Sequence, residues 1–225
     1  MQVFDLEILN IHLLFLRFRS IKGNELLEKI HGLNADPKVH GIIVQMPLDC
    51  DENIDEDMVT NAVSEEKDVD GLSVLNQGKI ATGYLDTAFA PCTPSGCMTL
   101  IESTGIPLDG CKAVVIGNIE LFEMIGCFKL IEVLITMLTC SVIFLGRSKI
   151  VGTPMSELLK WKNCTVTTCH SKTKDLGALT KSADLLVVAI GKPNFVPGDW
   201  IKQGAVVIDC GINSIPDPSK KSGKV

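Results

Sequence analysis

Residues 146–152 read GRSKIVG, the stretch of the chain best suited to hold an anionic ligand. A glycine-rich turn lets the backbone approach a pyrophosphate closely. The free N–H groups and positive dipole end of a following helix then face the phosphates. Pro154, just beyond, suits the first turn of such a helix, where its missing N–H is not needed. Gly146 and Gly152 make a spaced variant of the dinucleotide fingerprint, not the usual GxGxxG. Arg147 adds a guanidinium that can clamp a 2′-phosphate through two parallel hydrogen bonds. Ser171 lies where the acidic ribose-binding residue of an NAD site is expected, and the stretch CHSKTK (169–174) carries a hydroxyl and two lysines there instead. Both details favour NADP over NAD. Taken alone the turn is weak evidence. Glycine-bounded turns are commonly structural, and Arg147 and the lysines also read as solvated surface charge. A second chemical cluster is KDVDGLS (67–73), a turn rich in carboxylates.

The elements that must position these residues follow from periodicity. Residues 24–33 read as a helix with Leu26, Leu27, Ile30 and Leu33 on one face and Asn24 as cap. GIIVQMPL (41–48) reads as a buried strand. A short helix is predicted over 55–63, and another over about 95–104, ended by Gly105. After Gly110 the rhythm becomes strand, helix, strand. CKAVVIG (111–117), CTVTTC (164–169), DLLVVAIG (184–191) and GAVVIDCG (204–211) read as strands. PMSELLKW (154–161) and LGALTKSA (176–183) read as helices. Continuous apolar strands alternating with helices predict a parallel sheet covered on both faces. No internal repeat and no low-complexity tract is read.

The composition narrows the function. The chain has 225 residues, a net charge of −6 and 46% hydrophobic residues. A pI of about 5.2, without a dense run of Lys and Arg, argues against nucleic acid as a partner. Nine cysteines, an odd number without CxxC spacing, read as buried reduced thiols in a cytosol-like compartment. Cys164, Cys169 and His170 fall short of the ligand set a zinc site needs. No secretory signal is read, since Asp5 and Glu7 come early and no small-residue cleavage site follows. The most apolar run, VLITMLTCSVIFL (133–145), spans about 20 Å as a helix, too short for a hydrocarbon core of about 30 Å. No membrane association is expected, and the expected location is cytoplasmic.

Several stretches occur in one order: VQMPLD, KDVDGLSVLNQGKI, PCTPSGCMTLIESTGIPLDG, GRSKIVGTPMSELL, TVTTCHSKT, ADLLVVAIGKPNFV and GDWIKQGAVVIDCGIN. Together they resemble the methylenetetrahydrofolate dehydrogenase/cyclohydrolase family, over roughly residues 24–117 and 146–215. The resemblance implies an α/β fold, with a Rossmann-like NADP-binding domain over 105–225 and an incomplete folate domain over 1–104. It implies oxidation of 5,10-methylenetetrahydrofolate by NADP, then hydrolysis of the methenyl product to 10-formyltetrahydrofolate. It implies that Gln45 positions the folate and tunes the catalytic lysine, with Val44 and Met46 beside it on the substrate wall. Asp70 matches the carboxylate that holds the pterin ring, and a carboxylate can accept paired N–H donors from an aminopyrimidinone. Thr93 falls at the seam of the two sites. Gly146, Arg147, Ser148 and Ser171 match cofactor contacts, and Ile212 matches a residue beside the nicotinamide. The family also implies a homodimer through the cofactor domain.

Two departures stand out. The family's catalytic Tyr-x-x-x-Lys is expected to be absent. Tyr84, the single tyrosine, is followed by Leu85, Asp86, Thr87 and Ala88. The glycine-rich PVPGGVGPMT motif is absent too, so the chain reads as incomplete at both ends and of doubtful turnover. Residues 118–146 intervene where the family runs straight from strand to phosphate loop. Glu120, Glu123, Lys129 and Glu132 would ring a helix there and leave no clean apolar face. The stretch reads as extraneous, from translated non-coding sequence or mis-splicing. Two geometries follow: AVVIG (113–117) keeps the central strand, or SVIFLG (141–146) takes it. A strand must lead directly into a phosphate loop, so SVIFLG is the expected occupant.

Overall fold

The computed structural model describes residues 2–6, 11–16, 21–46, 48, 54–117, 149–170 and 172–211. They form two compact units, Met1–Lys67 and Asp68–Val225. The functional division expected at 104/105 falls inside the second unit.

In the first unit, β1 (Gln2–Leu6) pairs antiparallel with β2 (Ile11–Phe15), with Val3 opposite Leu14. Helix α1 (Gly23–Ala35) starts at Lys22, two residues before the expected cap. Helix α2 (Glu56–Ala62) is capped by Asp55, whose carboxylate accepts from the amides of Asp57 and Met58. Ile30, Ile42, Val59 and Val63 form the core, with Leu26, Leu33, Val44 and Met46 packed at its margin. The end of α1 leaves carbonyls without helical partners. The Lys67 ammonium donates to three carbonyls there, those of Leu33, Asn34 and Asp36, at 3.1, 2.7 and 2.8 Å. Asn34 then ties α1 to the end of α2, donating to the Ala62 carbonyl and accepting from the Ser64 amide. GIIVQMPL is not the buried strand expected. Among its described residues only Ile42 makes a bridge, and its amide donates to the Lys67 carbonyl at 2.7 Å. Ile43 is 60% exposed, so the apolar run is buried on alternate residues only.

The second unit opens with α3 (Val74–Thr82), a helix that periodicity did not reveal. Ser73 caps its start, and Gly83 ends it at φ 87°, a left-handed conformation that favours glycine. Helix α4 (Cys92–Ser103) begins three residues earlier than expected, directly after Pro91. Then follow β3 (Lys112–Gly117), α5 (Gly152–Trp161), β4 (Thr165–Cys169), α6 (Leu176–Lys181), β5 (Leu185–Ala189), a 3-10 turn (Gly198–Trp200) and β6 (Val206–Asp209). The four strands form one parallel sheet in the order β4-β3-β5-β6.

Strand alternation divides the core between the two sheet faces. Ala113, Val115, Leu185 and Val187 pack in one cluster with Cys97, Met98 and Ile101 of α4 and Met155 and Leu159 of α5. Val114, Ile116, Leu186 and Val188 pack in the other with Cys169, Leu176, Leu179 and Ile201. Both faces are covered, which is why these strands read as unbroken apolar runs. The expectation that SVIFLG replaces AVVIG is overturned. Val115 stands opposite Thr168 of β4 and Val187 of β5. All four residues from Ala113 to Ile116 expose 3% or less of their surface. That burial holds 112–117 at the centre, whatever follows Gly117. Residues 141–146 lie outside the described residues.

Leu159 is fully buried between α4 and the sheet. Leu159→Ala is expected to cost about 2–5 kcal/mol, read as a lower midpoint in urea unfolding.

Candidate functional site

The two acids of KDVDG have separate jobs. Asp68 is buried, 3% exposed, and its carboxylate accepts from the Ser73 amide at 2.9 Å, the Leu72 amide at 3.2 Å and the Asn76 side-chain amide at 2.9 Å. Asn76, itself fully buried, accepts from the Phe89 amide at 3.1 Å. Together they knot the turn, the start of α3 and the approach to α4. Sequence reading missed both residues. The available signal was Ser73, a helix cap with an asparagine three residues on. Gly71 fixes the turn at φ 65°, and a Cβ there would lie 2.3 Å from the Phe89 carbonyl oxygen. The knot presents Asp70 half-buried beside the first turn of α4, where the Cys92 thiol donates to it. Burial and then the Asp68 charge push the Asp70 carboxyl above its ordinary range, and the Cys92 bond offsets part of this. Thr93, exposed, follows Cys92 in that turn of α4.

Gln45 lies in the first unit, exposed, with its side-chain amide donating to the Met46 carbonyl at 2.9 Å. Val44 and Met46 are half-buried against that unit's core.

The parallel sheet reverses its strand order beside β3. The chain passes from β3 to β4 on one side, then crosses to β5 on the other. The carboxyl ends of β3 and β5 therefore border a topological switch point, the place where open α/β sheets hold ligands. Helix α5 begins at Gly152, two residues before Pro154. Its first turn is anchored to β4 through Ser156, whose hydroxyl donates to the Gly152 carbonyl and meets the Thr168 hydroxyl at 3.0 Å. Gln77 of α3 donates to the Lys149 carbonyl just ahead of it. Past β4, the His170 amide donates to the Thr173 hydroxyl at 2.8 Å, and Lys172 and Lys174 are exposed. Past β5 and β6, Gly191 and Gly211 meet so closely that a Cβ on Gly211 would lie 2.7 Å from the Gly191 nitrogen. Gly146, Arg147, Ser148, Ser171 and Ile212 lie outside the described residues, so of the expected cofactor contacts only Thr93 is described.

At the opposite, amino end of the strands, Asp184 accepts from the Lys112 amide at 3.0 Å and pairs with the Lys202 ammonium. These bonds, that of Lys202 first, hold its carboxyl below the ordinary range. A depression of about 380 Å³ beside them is lined by Ile106, Asp109 and Gly204. It lies at the end of the sheet opposite the switch point. The described cysteines are free thiols. Burial pushes Cys164 up to about 11 and Cys210 up to about 12, so neither is a nucleophile at neutral pH.

Two protein-family models match the chain. The description "Tetrahydrofolate dehydrogenase/cyclohydrolase, catalytic domain" covers residues 6–70, and the family's "NAD(P)-binding domain" covers 123–225. The chain belongs to the tetrahydrofolate dehydrogenase/cyclohydrolase family. Its cofactor-domain match begins at 123, inside the intervening stretch 118–146. The cytoplasmic C-1-tetrahydrofolate synthase of Drosophila melanogaster is 55% identical over 205 residues, covering 91% of this chain and 18% of that protein. The bifunctional protein FolD 1 of Mesorhizobium japonicum is 48% identical, over 88% of this chain and 56% of that one. Among solved family members, the Trypanosoma brucei dehydrogenase-cyclohydrolase, described as complexed with NADP cofactor and inhibitor, superposes with a TM-score of 0.72. It is 31% identical, over 91% of this chain and 59% of that one. The chain thus spans about a fifth of the long synthases and little more than half of the FolD proteins. Among the described residues, no helix is long and apolar enough to cross a membrane.

Two substitutions check the family's acidic turn. Gly71→Ala forces a side chain into left-handed backbone and against a carbonyl, and is expected to cost at least about 2 kcal/mol. Asp70→Asn should do the reverse at neutral pH. A raised carboxyl pKa means the native state binds the proton more tightly than the unfolded chain. The resulting penalty is absent below the ordinary carboxylate range and grows as pH rises through the raised value. The variant should therefore melt about 2 °C higher at pH 7, with the gain shrinking towards pH 4, by differential scanning calorimetry.

Proposed function

We propose that this chain supplies NADP and folate sites for the oxidation of 5,10-methylenetetrahydrofolate and the hydrolysis of its methenyl product to 10-formyltetrahydrofolate, in cytoplasmic one-carbon metabolism. Residues 1–104 serve the folate and 105–225 the cofactor. The observation that carries the reading is the reversal of strand order between β3 and β5, the place where open α/β sheets hold a dinucleotide. Next to it, past β5 and β6, Gly191 and Gly211 approach too closely for any side chain to stand between them.

The residues fit NADP. The amides after Gly146, with Ser148, would hold its pyrophosphate. Arg147, Ser171 and the exposed Lys172 and Lys174 would hold the 2′-phosphate. Ile212 would flank the nicotinamide, which supplies a hydride acceptor when bound. On the folate side, Asp70 accepts N–H donors of the pterin, and its burial strengthens each such bond. Gln45, with Val44 and Met46 beside it, would orient the folate, and Thr93 would contact the cofactor. Two copies associate through the cofactor part.

None of these groups replaces the general acid/base lysine. That step typically contributes about 10²–10⁴-fold, so binding is expected to outlast turnover. Tyr84, exposed and followed by Leu-Asp-Thr-Ala, favours a second reading, a chain that binds NADP or a second copy without catalysis. Absorbance of reduced cofactor, with methylenetetrahydrofolate and NADP supplied, separates the two. Binding itself is checked by thermal unfolding. NADP should protect the chain more than NAD, and Arg147→Ala should weaken NADP about 10- to 100-fold. Protection by NADP that is unaltered in Arg147→Ala would remove the 2′-phosphate assignment.

A further inference from the structure

Gln77 stands between the two candidate sites. Its half-buried side chain leaves α3 one turn after the Ser73 cap. Its amide nitrogen Nε2 donates to two carbonyls, that of Leu72 at 3.2 Å and that of Lys149 at 3.3 Å. A side-chain amide carries two N–H donors, so both bonds are held at once. Leu72 belongs to the acidic turn, two residues past Asp70. Lys149 belongs to GRSKIVG, three residues ahead of Gly152, where α5 begins. One side chain thus touches the backbone that presents Asp70 and the backbone that leads into the phosphate-binding helix.

The rest of α3 is fixed at both ends. At its start, Asp68 accepts from the amides of Leu72 and Ser73 and from the Asn76 side chain. Leu72 therefore gives its amide to Asp68 and its carbonyl to Gln77. Near the far end, the carbonyl of buried Ile80 accepts from the Trp161 indole N–H at 2.8 Å, and Trp161 is the last residue of α5. Helix α3 is bonded to the chain on both sides of α5, at Lys149 before it and at Trp161 where it ends. Gly71 is braced by the Phe89 carbonyl on its other side. A rigid strut of this kind carries a displacement at Lys149 to the acidic turn. Both Gln77 bonds are at the long end of the usual N–H···O range, so a small movement of the Lys149 carbonyl firms or breaks its bond.

We propose that Gln77 is a positioning residue that couples the two sites: a filled cofactor site firms its bond to Lys149 and steadies the turn that presents Asp70. The inference rests on the NADP and folate reading given above and supplies the route between its two halves. Gln77 contacts neither ligand and acts through the two carbonyls. Coupling of binding is reciprocal, so a folate held by Asp70 strengthens NADP by the factor with which NADP strengthens the folate. One hydrogen bond shifts an equilibrium by about 2- to 10-fold, which sets the size of the effect.

The test is amide hydrogen exchange of the full chain, read by mass spectrometry on peptides covering 68–73 and 149–155, with and without saturating NADP. The variants are Gln77→Ala and Gln77→Met. Both new residues favour helix, and neither side chain donates a hydrogen bond. In the wild-type chain NADP should slow exchange in both segments, by about 2- to 10-fold in 68–73. In the variants it should slow 149–155 as before and leave 68–73 unchanged. Slowing of 68–73 that persists in the variants means that the signal takes another route, and it overturns the proposal. Slowing confined to 149–155 in the wild-type chain overturns it too. Loss of slowing at 149–155 in the variants makes Gln77 part of the cofactor site, and loss of the thermal transition in both makes it a folding residue. Either result overturns the positioning role. No slowing anywhere in the wild-type chain overturns the cofactor reading itself, and the coupling with it.

Discussion

The middle position of the parallel sheet sets the place of everything else in the second unit. β3 shares its hydrogen bonds with β4 on one side and β5 on the other. Its side chains feed both hydrophobic clusters. Helices α4 and α5 are located by Val115 on one face, and α6 by Ile116 on the other. The chain's reversal from β4 to β5 happens across this strand, so the bare glycines at the carboxyl edge are placed relative to it. A polar or misregistered strand there would disturb both layers at once, since interiors packed at crystal-like density do not deform smoothly.

The acidic turn shows how burial assigns different work to identical side chains. Asp68 has three donors aimed at it and is fully occupied as a structural acceptor. Asp70, two residues on, keeps acceptor capacity beyond the Cys92 thiol and is left half-buried. The first carboxylate makes the turn, and the second is what the turn presents. Gly71 is the hinge of the arrangement, since its backbone conformation and the nearness of the Phe89 carbonyl both exclude a side chain.

Much of this was legible in the residues. β3 and β5 follow from unbroken apolar runs, because a strand covered on both faces has no polar side to show, and β4 follows from the β-branched residues of TVTTC. Helices α5 and α6 follow from periodicity to within two residues. Other features were not legible, for identifiable reasons. Helix α3 has Val74 and Leu75 exposed and Asn76 buried, the inverse of an amphipathic pattern, so its apolar stripe misleads. GIIVQMPL looked like a strand because its run of apolar residues hides which ones face the core. The knot of Asp68 and Asn76 depends on contacts between segments that periodicity cannot see. Continuity with the phosphate loop points to SVIFLG as the central strand, but the burial of Ala113, Val114, Val115 and Ile116 outweighs it.

The packing of α3 against α5 carries a spectroscopic consequence. The Trp161 indole N–H donates to the Ile80 carbonyl at 2.8 Å, and its ring lies against Gly83, where even a methyl group would come within 2.7 Å. The residue is nonetheless 47% exposed. The other tryptophan, Trp200, lies against Gly177 of α6, on the opposite face of the sheet. The chain therefore carries one intrinsic fluorophore per helical layer. Separation of α3 from α5 would red-shift the emission of one, while the emission of the other would report the far layer independently.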